Sequence, residues 1–199
     1  MFICTERLFL RPGWAEDEAE LTRAIGHADD TPVLASMPWP RGEAKARAFL
    51  SRDHDAPLPR LLVTLPDEGG RIVGGCSLHR PHRDAAGVPA WVECWITPSC
   101  RGRGYAREAL AGLIATAHML GHTRLRARHA LDDPASGKVL RSCGFRPSGR
   151  VTRLDSAARG GALECSEYEL ELAATAPTED RRPGWACVQA YAAAIDAAA

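Results

Sequence analysis

Ile96-Thr-Pro-Ser-Cys-Arg-Gly-Arg-Gly-Tyr-Ala106 is the stretch that decides the fold of this chain. An extended segment ends at its first residues, and behind it apolar residues recur at steps of three and four, the spacing of a helix with one buried stripe. The start of such a helix exposes several unbonded N–H groups and carries a partial positive charge. The stretch is therefore a strand-to-helix turn that is able to hold a diphosphate. The residues of the apolar stripe are Ala106, Ala109, Leu110, Leu113, Ile114, Ala117 and Leu120.

Two glycines and two arginines fill this turn. Gly102 and Gly104 lack Cβ atoms, so the backbone can turn tightly and approach phosphate oxygens closely. Arg101 and Arg103 add charge-assisted contacts. A P-loop needs G-x-x-x-x-G-K-[ST], and a Rossmann turn needs a third glycine after a parallel strand, so neither motif fits. Taken alone, the turn is more typical of a flexible basic loop.

Three extended segments come directly before the turn. Residues 60–65 and 71–78 flank Pro66-Asp-Glu-Gly-Gly70, which predicts a hairpin with a longer loop. In residues 88–96 apolar side chains alternate with tryptophan and glutamate, which predicts a strand with one apolar face. Three consecutive antiparallel strands are therefore expected.

The rest of the chain completes an α/β (α+β) pattern. Together the segments predict a mixed, mostly antiparallel twisted sheet of six to seven strands with about four helices. After residue 173 the composition becomes alanine-rich, and apolar residues at helical spacing predict a C-terminal helical extension. We divide the chain into a domain at 1–172 and a linker with a helical tail at 173–199. The remaining predicted elements are a strand at 5–11, helices at 15–28 and 43–50, a strand at 124–129, a helix at 135–143, and strands at 145–154 and 163–172.

Composition excludes several classes of protein. The 199 residues are 45% hydrophobic and 25% charged, as in an ordinary globular protein. Lys+Arg and Asp+Glu both number 25, so no net charge attracts the chain to nucleic acid or to an acidic membrane. The seven cysteines are an odd number without a C-x-x-C pair, which argues against a metal site. No segment predicts a signal peptide or a membrane helix, so we expect a reduced, cytoplasmic protein.

The context of the turn gives it a more specific meaning. It resembles the coenzyme-binding motif [RQ]-x-x-G-x-[GA] of the GNAT superfamily of N-acetyltransferases, with Arg101, Gly104 and Ala106 on its fixed positions. Residues 5–12 are similar to the opening of the RimJ/RimL branch of that superfamily, and Met37-Pro-Trp-Pro40 is similar to its segment between the first two helices.

A third segment of the RimJ/RimL branch, N-x-x-S followed by G-F, resembles residues 133–145. The resemblance thus covers about residues 5–172. Two residues depart from the pattern, since Asp133 stands in place of the usual asparagine and Gly137 in place of a better helix former. Asp133 still suits a helix cap.

The resemblance implies a GNAT fold that binds acetyl-CoA as cosubstrate, with no metal. Acetyl-CoA would lie in a gap between the strand at 91–96 and the strand at 125–129, with its diphosphate on the turn. An amine would attack the thioester directly, and a backbone N–H near Trp95 or Ile96 would polarise the carbonyl. The implied coenzyme-binding residues are Trp95, Ile96, Thr97, Arg101, Gly102, Arg103, Gly104, Tyr105, Ala106, Asp133 and Ser136.

Three residues are catalytic candidates, Ser136 and Asp155 by the same resemblance and Glu93 by its position on its strand. Ser136 matches the family serine that hydrogen-bonds or protonates the departing sulfur, although a first-turn serine also often bonds its own helix backbone. Glu93, on the polar face of its strand, and Asp155 are alternative bases, and a water chain is a third option. Trp39 and Trp91 are expected to form the acceptor pocket.

The leading hypothesis is an N-acetyltransferase whose acceptor is a primary amine, either a protein N terminus or a small molecule. Asp133, and Leu140 where other branches have a tyrosine, motivate an alternative, a catalytically weak acetyl-CoA-binding module for regulation or assembly. An RNA-binding protein that uses the arginines at 124, 126 and 128 fits less well, because no aromatic residues are interleaved. We expect neither nucleic acid nor membrane as a partner, and a homodimer is one option for the C-terminal tail.

Overall fold

The structure is a computed structural model that describes residues 1–26, 43–50, 58–80, 88–156 and 161–172. Within these ranges the chain forms eight strands and four α-helices. The predicted linker and helical tail at 173–199 lie outside the described residues. None of the described helices is long and apolar enough to cross a membrane. In chain order the elements are β1 (Ile3–Cys4), β2 (Phe9–Arg11), α1 (Glu18–Gly26), α2 (Glu43–Leu50), β3 (Arg60–Leu65), β4 (Arg71–His79), β5 (Ala90–Ile96), α3 (Tyr105–Met119), β6 (Arg124–Ala130), α4 (Pro134–Ser142), β7 (Arg146–Ser156) and β8 (Gly161–Glu171).

One sheet contains all eight strands in the order β1-β2-β3-β4-β5-β6-β8-β7. Every neighbouring pair is antiparallel except β5 and β6, which run parallel. The parallel pair is short, because only Ala90 pairs with Leu125 and Trp91 with Arg126. Beyond Trp91 the two strands diverge. The predicted α+β class with a mixed, mostly antiparallel sheet is confirmed.

The number of strands differs from the prediction, because the expected first strand at 5–11 is interrupted: residues 5–8 form a turn between β1, Ile3–Cys4, and β2, Phe9–Arg11. The N–H of Thr5 donates to the carbonyl of Leu8 at 3.0 Å, which closes that turn. The Glu108 carboxylate holds it from outside, accepting the Thr5 hydroxyl at 2.6 Å and the Arg7 N–H at 2.7 Å. These bonds use groups that a continuous strand would pair with its neighbours. The sheet therefore has eight strands instead of six to seven.

The two faces of the sheet carry different helices. Helix α3 packs on one face, where Leu110, Leu113 and Ile114 join the main core. Helices α1 and α2 cover the other face around a second core that includes Trp95, which is buried. The Trp95 indole lies across Gly75, where a Cβ would be only 2.7 Å from Nε1. The polar face predicted for β5 is thus closed at its Trp95 end.

The segment before α1 is built around a buried ion pair. The predicted helix at 15–28 begins with a single 3-10 turn, Ala15–Asp17, before the α-helix starts at Glu18. The Asp17 carboxylate accepts both Arg11 Nη1 and Nη2 at 2.7 Å, and the Trp14 N–H at 2.7 Å. Burial raises the pKa of Asp17, but these hydrogen bonds outweigh it and leave the pKa below its ordinary value.

Candidate functional site

The turn before α3 has the geometry of an anion site. Gly102 and Gly104 have φ of +73° and +82°, a region that favours glycine. The first helical hydrogen bond runs from the Glu108 N–H to the Gly104 carbonyl at 3.1 Å. The N–H groups of residues 102–107 have no backbone acceptor in the described part of the chain. A Cβ on Gly102 would meet nothing within 4 Å, so the space beside the turn is open.

The N-terminal segment fixes this turn in place. Arg7 donates from Nε to Glu108 at 2.8 Å and from Nη1 to the Arg103 carbonyl at 3.0 Å. Its guanidinium also lies 4.9 Å from the centre of the Tyr105 ring. One side chain therefore links the turn, the first residue of α3 and the next helical turn. Arg7, in the segment at residues 5–12, thus supports the turn.

A cavity lies where β5 and β6 diverge, close to the start of α3. Both strands and both helices α3 and α4 contribute to its wall. The cavity brings together four predicted site residues, Glu93, Ala106, Asp133 and Ser136. Its lining is Val92, Glu93, Cys94, Ala106, Leu110, Ala127, Arg128, His129, Ala130, Asp133, Ser136, Val139 and Leu140.

The backbone of β5 presents hydrogen-bonding groups to this gap. The Thr97 N–H donates to the Val73 carbonyl of β4 at 2.8 Å. Because successive residues of a strand alternate in direction, the N–H groups of Trp95 and Thr97 point toward β4, and that of Ile96 points into the gap. The Ile96 carbonyl faces the same way and accepts Arg101 Nε at 3.2 Å. Of the two predicted backbone donors, Trp95 and Ile96, Ile96 is the one whose N–H faces the cavity side.

Asp133 and Ser136 form the N-terminal cap of α4. The Asp133 carboxylate accepts the Ser136 N–H at 3.2 Å and the Ser136 hydroxyl at 2.7 Å. Ser136 is therefore bonded within its own helix cap and also lines the cavity. Asp133 performs the capping expected of it, and its charge lies directly beside the hydroxyl.

The other predicted site residues lie at different depths. Glu93 is mostly buried in the cavity wall, and its Oε2 lies 3.8 Å from His79 Nδ1. Trp91, one step earlier on the same face, carries the guanidinium of Arg128 at 4.9 Å from its ring centre. The backbone of Asp155 lies in β7 opposite Ala162, on a strand that contributes nothing to the cavity wall. Trp39 lies outside the described residues.

Sequence reasoning missed His129, which fixes α4 against β6. Its Nδ1 lies 2.7 Å from the Ala130 carbonyl and its Nε2 lies 3.4 Å from the Tyr168 hydroxyl, which accepts Arg141 Nη1 at 2.9 Å. The imidazole also lies against Gly137, where a Cβ would be 2.7 Å from Nε2. The sequence did contain a signal for this contact: Gly137 stands where the family has a better helix former, and a glycine inside a helix often marks a close approach of another group.

The cavity also contains a thiol. Burial raises the pKa of Cys94 to about 12, with a smaller contribution from Cys143. The Cys94 Sγ lies 3.9 Å from the Ala106 carbonyl, a distance at which the protonated thiol donates a weak hydrogen bond. Cys94 is therefore protonated at neutral pH and unsuited to act as a nucleophile. In the described part of the chain, no group of three or more His, Cys, Asp or Glu side chains is placed to hold a metal ion.

Known structures share this fold. A GNAT-family acetyltransferase from Bacillus anthracis is 20% identical, with coverage of 86% of this chain and 98% of that one and a TM-score of 0.69. A putative ribosomal-protein-serine acetyltransferase from Vibrio cholerae is 21% identical, with coverage of 86% and 97% and a TM-score of 0.69. RimL, a ribosomal L7/L12 alpha-N-protein acetyltransferase solved with coenzyme A, is 17% identical, with coverage of 86% and 98% and a TM-score of 0.70.

Sequence comparison identifies the family. No curated protein sequence matches the chain significantly. The sequence model of the acetyltransferase (GNAT) domain, however, matches residues 7–146, a range that runs from Arg7 through the glycine turn and α4. This confirms the superfamily predicted from the turn. The chain therefore belongs to the GNAT family of acetyltransferases.

Proposed function

We propose that the protein transfers the acetyl group of acetyl-CoA to a primary amine by direct attack in a ternary complex. As a GNAT-family member it is an acetyl-CoA-dependent acetyltransferase. The proposal goes beyond this family activity in naming a primary amine as the acceptor. The observation that carries the proposal is the divergence of β5 and β6 directly beside a turn with unbonded N–H groups. This arrangement provides one place for a diphosphate and another for a thioester.

The residues of the turn fit the coenzyme. The N–H groups from Gly102 to Ala106 would hold the diphosphate, with Arg101 and Arg103 supplying charge. The open space beside Gly102 supports this assignment, because a phosphate needs close access to the backbone. Acetyl-CoA supplies the activated acyl group as a thioester. The chain itself must position the amine, polarise the carbonyl and manage the protons.

We assign three roles in the cavity. The Ile96 N–H polarises the thioester carbonyl, since it faces the gap and is free for a ligand. Glu93 accepts the proton that the amine loses, directly or through water, from its position in the cavity wall. Ser136 donates a hydrogen bond to the departing sulfur, which requires its hydroxyl to turn away from Asp133. Asp155 and Trp39 stay predictions from resemblance alone.

Direct attack is favoured over an acyl-enzyme. The thiol that lines the cavity, Cys94, has a pKa raised to about 12 by burial and so offers no thiolate. The nearby Ser136 hydroxyl bonds to a carboxylate, and no described histidine donates to or accepts from it to activate it as a nucleophile. The six described cysteines are all free, which supports a reducing, cytoplasmic location.

The acceptor is either a protein N terminus or a small-molecule amine. The RimL structure and the putative ribosomal-protein-serine enzyme among the structural neighbours support the first choice, because both are named as acetyltransferases of ribosomal proteins. We place the chain in the RimJ/RimL branch on this ground and on residues 5–12. A second candidate function, a catalytically weak acetyl-CoA-binding module, is favoured by one observation, the hydroxyl of Ser136 held by Asp133.

A matched pair of glycines tests coenzyme binding. Gly102 and Gly121 both have positive φ, and a Cβ at either meets nothing within 4 Å. Alanine should therefore cost both positions about 1–2 kcal/mol of backbone strain. We expect Gly102→Ala to weaken acetyl-CoA binding in calorimetry at least tenfold, and Gly121→Ala to leave it unchanged. Equal effects of the two variants, or no acetyl-CoA binding by the folded wild type, would refute the coenzyme site.

Turnover separates the two candidate functions. A thiol-release assay with wild-type protein, acetyl-CoA and a panel of peptides and small amines should show release with at least one amine. Gly104→Arg should abolish release, because its long side chain would occupy the turn. Acetyl-CoA binding without thiol release for any amine would instead support the binding module.

A further inference from the structure

The arginines of β6 face a matching row of glutamates on β8. Arg124, Arg126 and Arg128 lie directly opposite Glu171, Glu169 and Glu167 in the antiparallel register. Residues placed opposite each other in this way commonly form cross-strand ion pairs. The first two pairs form, with Nε to Oε1 distances of 2.6 and 3.1 Å.

The third pair does not form. Glu167 instead accepts Arg150 Nε of β7 at 3.1 Å. Arg128 turns the other way, toward β5, and its guanidinium carbon lies 4.9 Å from the centre of the Trp91 ring. It lines the cavity and makes no ion pair with any residue that the structure describes.

The divergence of β5 and β6 explains why Arg128 can take this course. Arg126 lies opposite Trp91 in the last paired position of the two strands, so Arg128 comes just after their separation. The Arg128 guanidinium carbon lies over the Trp91 ring, and no hydrogen bond to another described residue occupies the guanidinium N–H groups, so they are available to a ligand. A guanidinium stays charged at any physiological pH, and a half-buried one gains most from an anionic partner.

The charges of the cavity have a definite arrangement. The carboxylates in the wall are Glu93, which faces His79, and Asp133, which holds Ser136. Neither forms an ion pair with Arg128 among the described contacts. A ligand that carries both an amine and an anionic group would therefore complement the cavity, with its amine near Glu93 and its anionic group near Arg128.

On the basis of the proposed function, we propose that Arg128 binds an anionic group of the amine acceptor, a carboxylate or a phosphate, and so selects acidic acceptors. The amine nitrogen then lies on the Glu93 side of the cavity. Arg128 is a specificity-determining residue in this assignment and takes no part in the proton transfers. The coenzyme diphosphate is held separately at the glycine turn.

The test compares primary amines with and without an anionic group. β-Alanine and β-alaninamide form the carboxylate pair, and phosphoethanolamine and ethanolamine form the phosphate pair. We expect the wild type to show a higher kcat/KM in thiol release for the anionic member of at least one pair. The pair with the larger preference identifies whether the group is a carboxylate or a phosphate.

Arg128→Gln is the decisive variant and Arg124→Gln its matched control on the same strand face. A charge-assisted hydrogen bond in a cavity is worth roughly 10- to 100-fold in affinity. We expect Arg128→Gln to remove a preference of this size, mainly through KM of the amine, with the Kd of acetyl-CoA unchanged. Arg124→Gln should keep the wild-type preference. Arg128→Glu should favour the neutral member of each pair, and it serves as a second variant if Arg128→Gln folds poorly.

Three results would overturn the inference. The first is equal turnover of anionic and neutral amines by the wild type. The second is that Arg124→Gln loses the preference for anionic amines as Arg128→Gln does. The third is a higher Kd for acetyl-CoA in Arg128→Gln, which would assign Arg128 to the coenzyme. Transfer without charge preference leaves the proposed function standing. Absence of thiol release with every amine overturns the proposed function and this inference with it.

Discussion

Gly137→Ala should shift the position of α4, and so lower the rate of the reaction, with only a small effect on the stability of the protein. The Cβ of an alanine at this position would lie 2.7 Å from His129 Nε2, 3.1 Å from Cε1 and 3.3 Å from Cδ2. Ordinary contact begins at 3.4 Å, so the helix and the imidazole must separate by about 0.7 Å, the difference between 3.4 and 2.7 Å. The residue that moves with the helix is Ser136, directly before Gly137.

The expected effects on stability and rate differ in size. Alanine favours the helix by about 1 kcal/mol relative to glycine. Overpacking costs about 1–3 kcal/mol, so the net loss of stability is only about 0–2 kcal/mol. A misplacement of about 1 Å in a catalytic site can cost about 100-fold in rate. We therefore expect kcat for thiol release to fall at least about tenfold while the protein stays folded.

A double-mutant cycle tests the cause. In His129→Ala the obstructing ring is gone, so adding Gly137→Ala should cost no further activity and should stabilise the helix. Lys138→Ala, at an exposed position of the same helix, is the control and should leave kcat unchanged. The reasoning is refuted if Gly137→Ala retains full kcat, or if its cost is the same with and without His129.

Three further predictions concern the turn, the α1 segment and the leaving sulfur. Glu108→Gln should weaken acetyl-CoA binding several-fold in calorimetry because it loosens Arg7 from the turn, whereas Glu171→Gln, which breaks an exposed pair on β6 and β8, should leave binding unchanged. Because the folded pKa of Asp17 lies below its unfolded value of 3.8, its ion pair stabilises the protein above that pH and is lost as the pH falls through the folded value. Asp17→Asn should thus cost about 3 kcal/mol in urea unfolding at neutral pH and progressively less below about pH 4, and a constant cost would contradict the assignment. Ser136→Ala should lower kcat without changing the Kd of acetyl-CoA, and an unchanged kcat would remove Ser136 from the mechanism.

The features that the sequence predicted well depend on local rules. The helix Tyr105–Met119 follows from its apolar spacing, and the turn before it follows from two glycines at positive φ. The strands β3 and β4 follow from the two extended segments that flank the loop Pro66-Asp-Glu-Gly-Gly70. Each of these signals lies within one element, so no knowledge of distant contacts is needed.

The features that the sequence did not predict depend on partners far apart in the chain. Glu108 divides the expected first strand, but it does so from a helix about 100 residues away, as the separations of 101 and 103 residues show. Gly137 looked like a weak point in a helix because the imidazole of His129 that needs the space belongs to another element. These contacts decide local structure, and periodicity contains no information about them.

The divergence of β5 and β6 links the coenzyme site to the choice of acceptor. If the two strands stayed paired, the Ile96 N–H would bond to β6, and a residue of β5 would lie directly beside Arg128. Separation leaves the N–H free for a ligand and gives Arg128 room to turn from Glu167 to Trp91. Because Arg150 neutralises Glu167 from β7, the glutamate does not draw Arg128 back. Arg150→Gln should therefore release Glu167 to pair with Arg128 and lower the preference for anionic acceptors, although Arg150 itself is not among the residues that line the cavity.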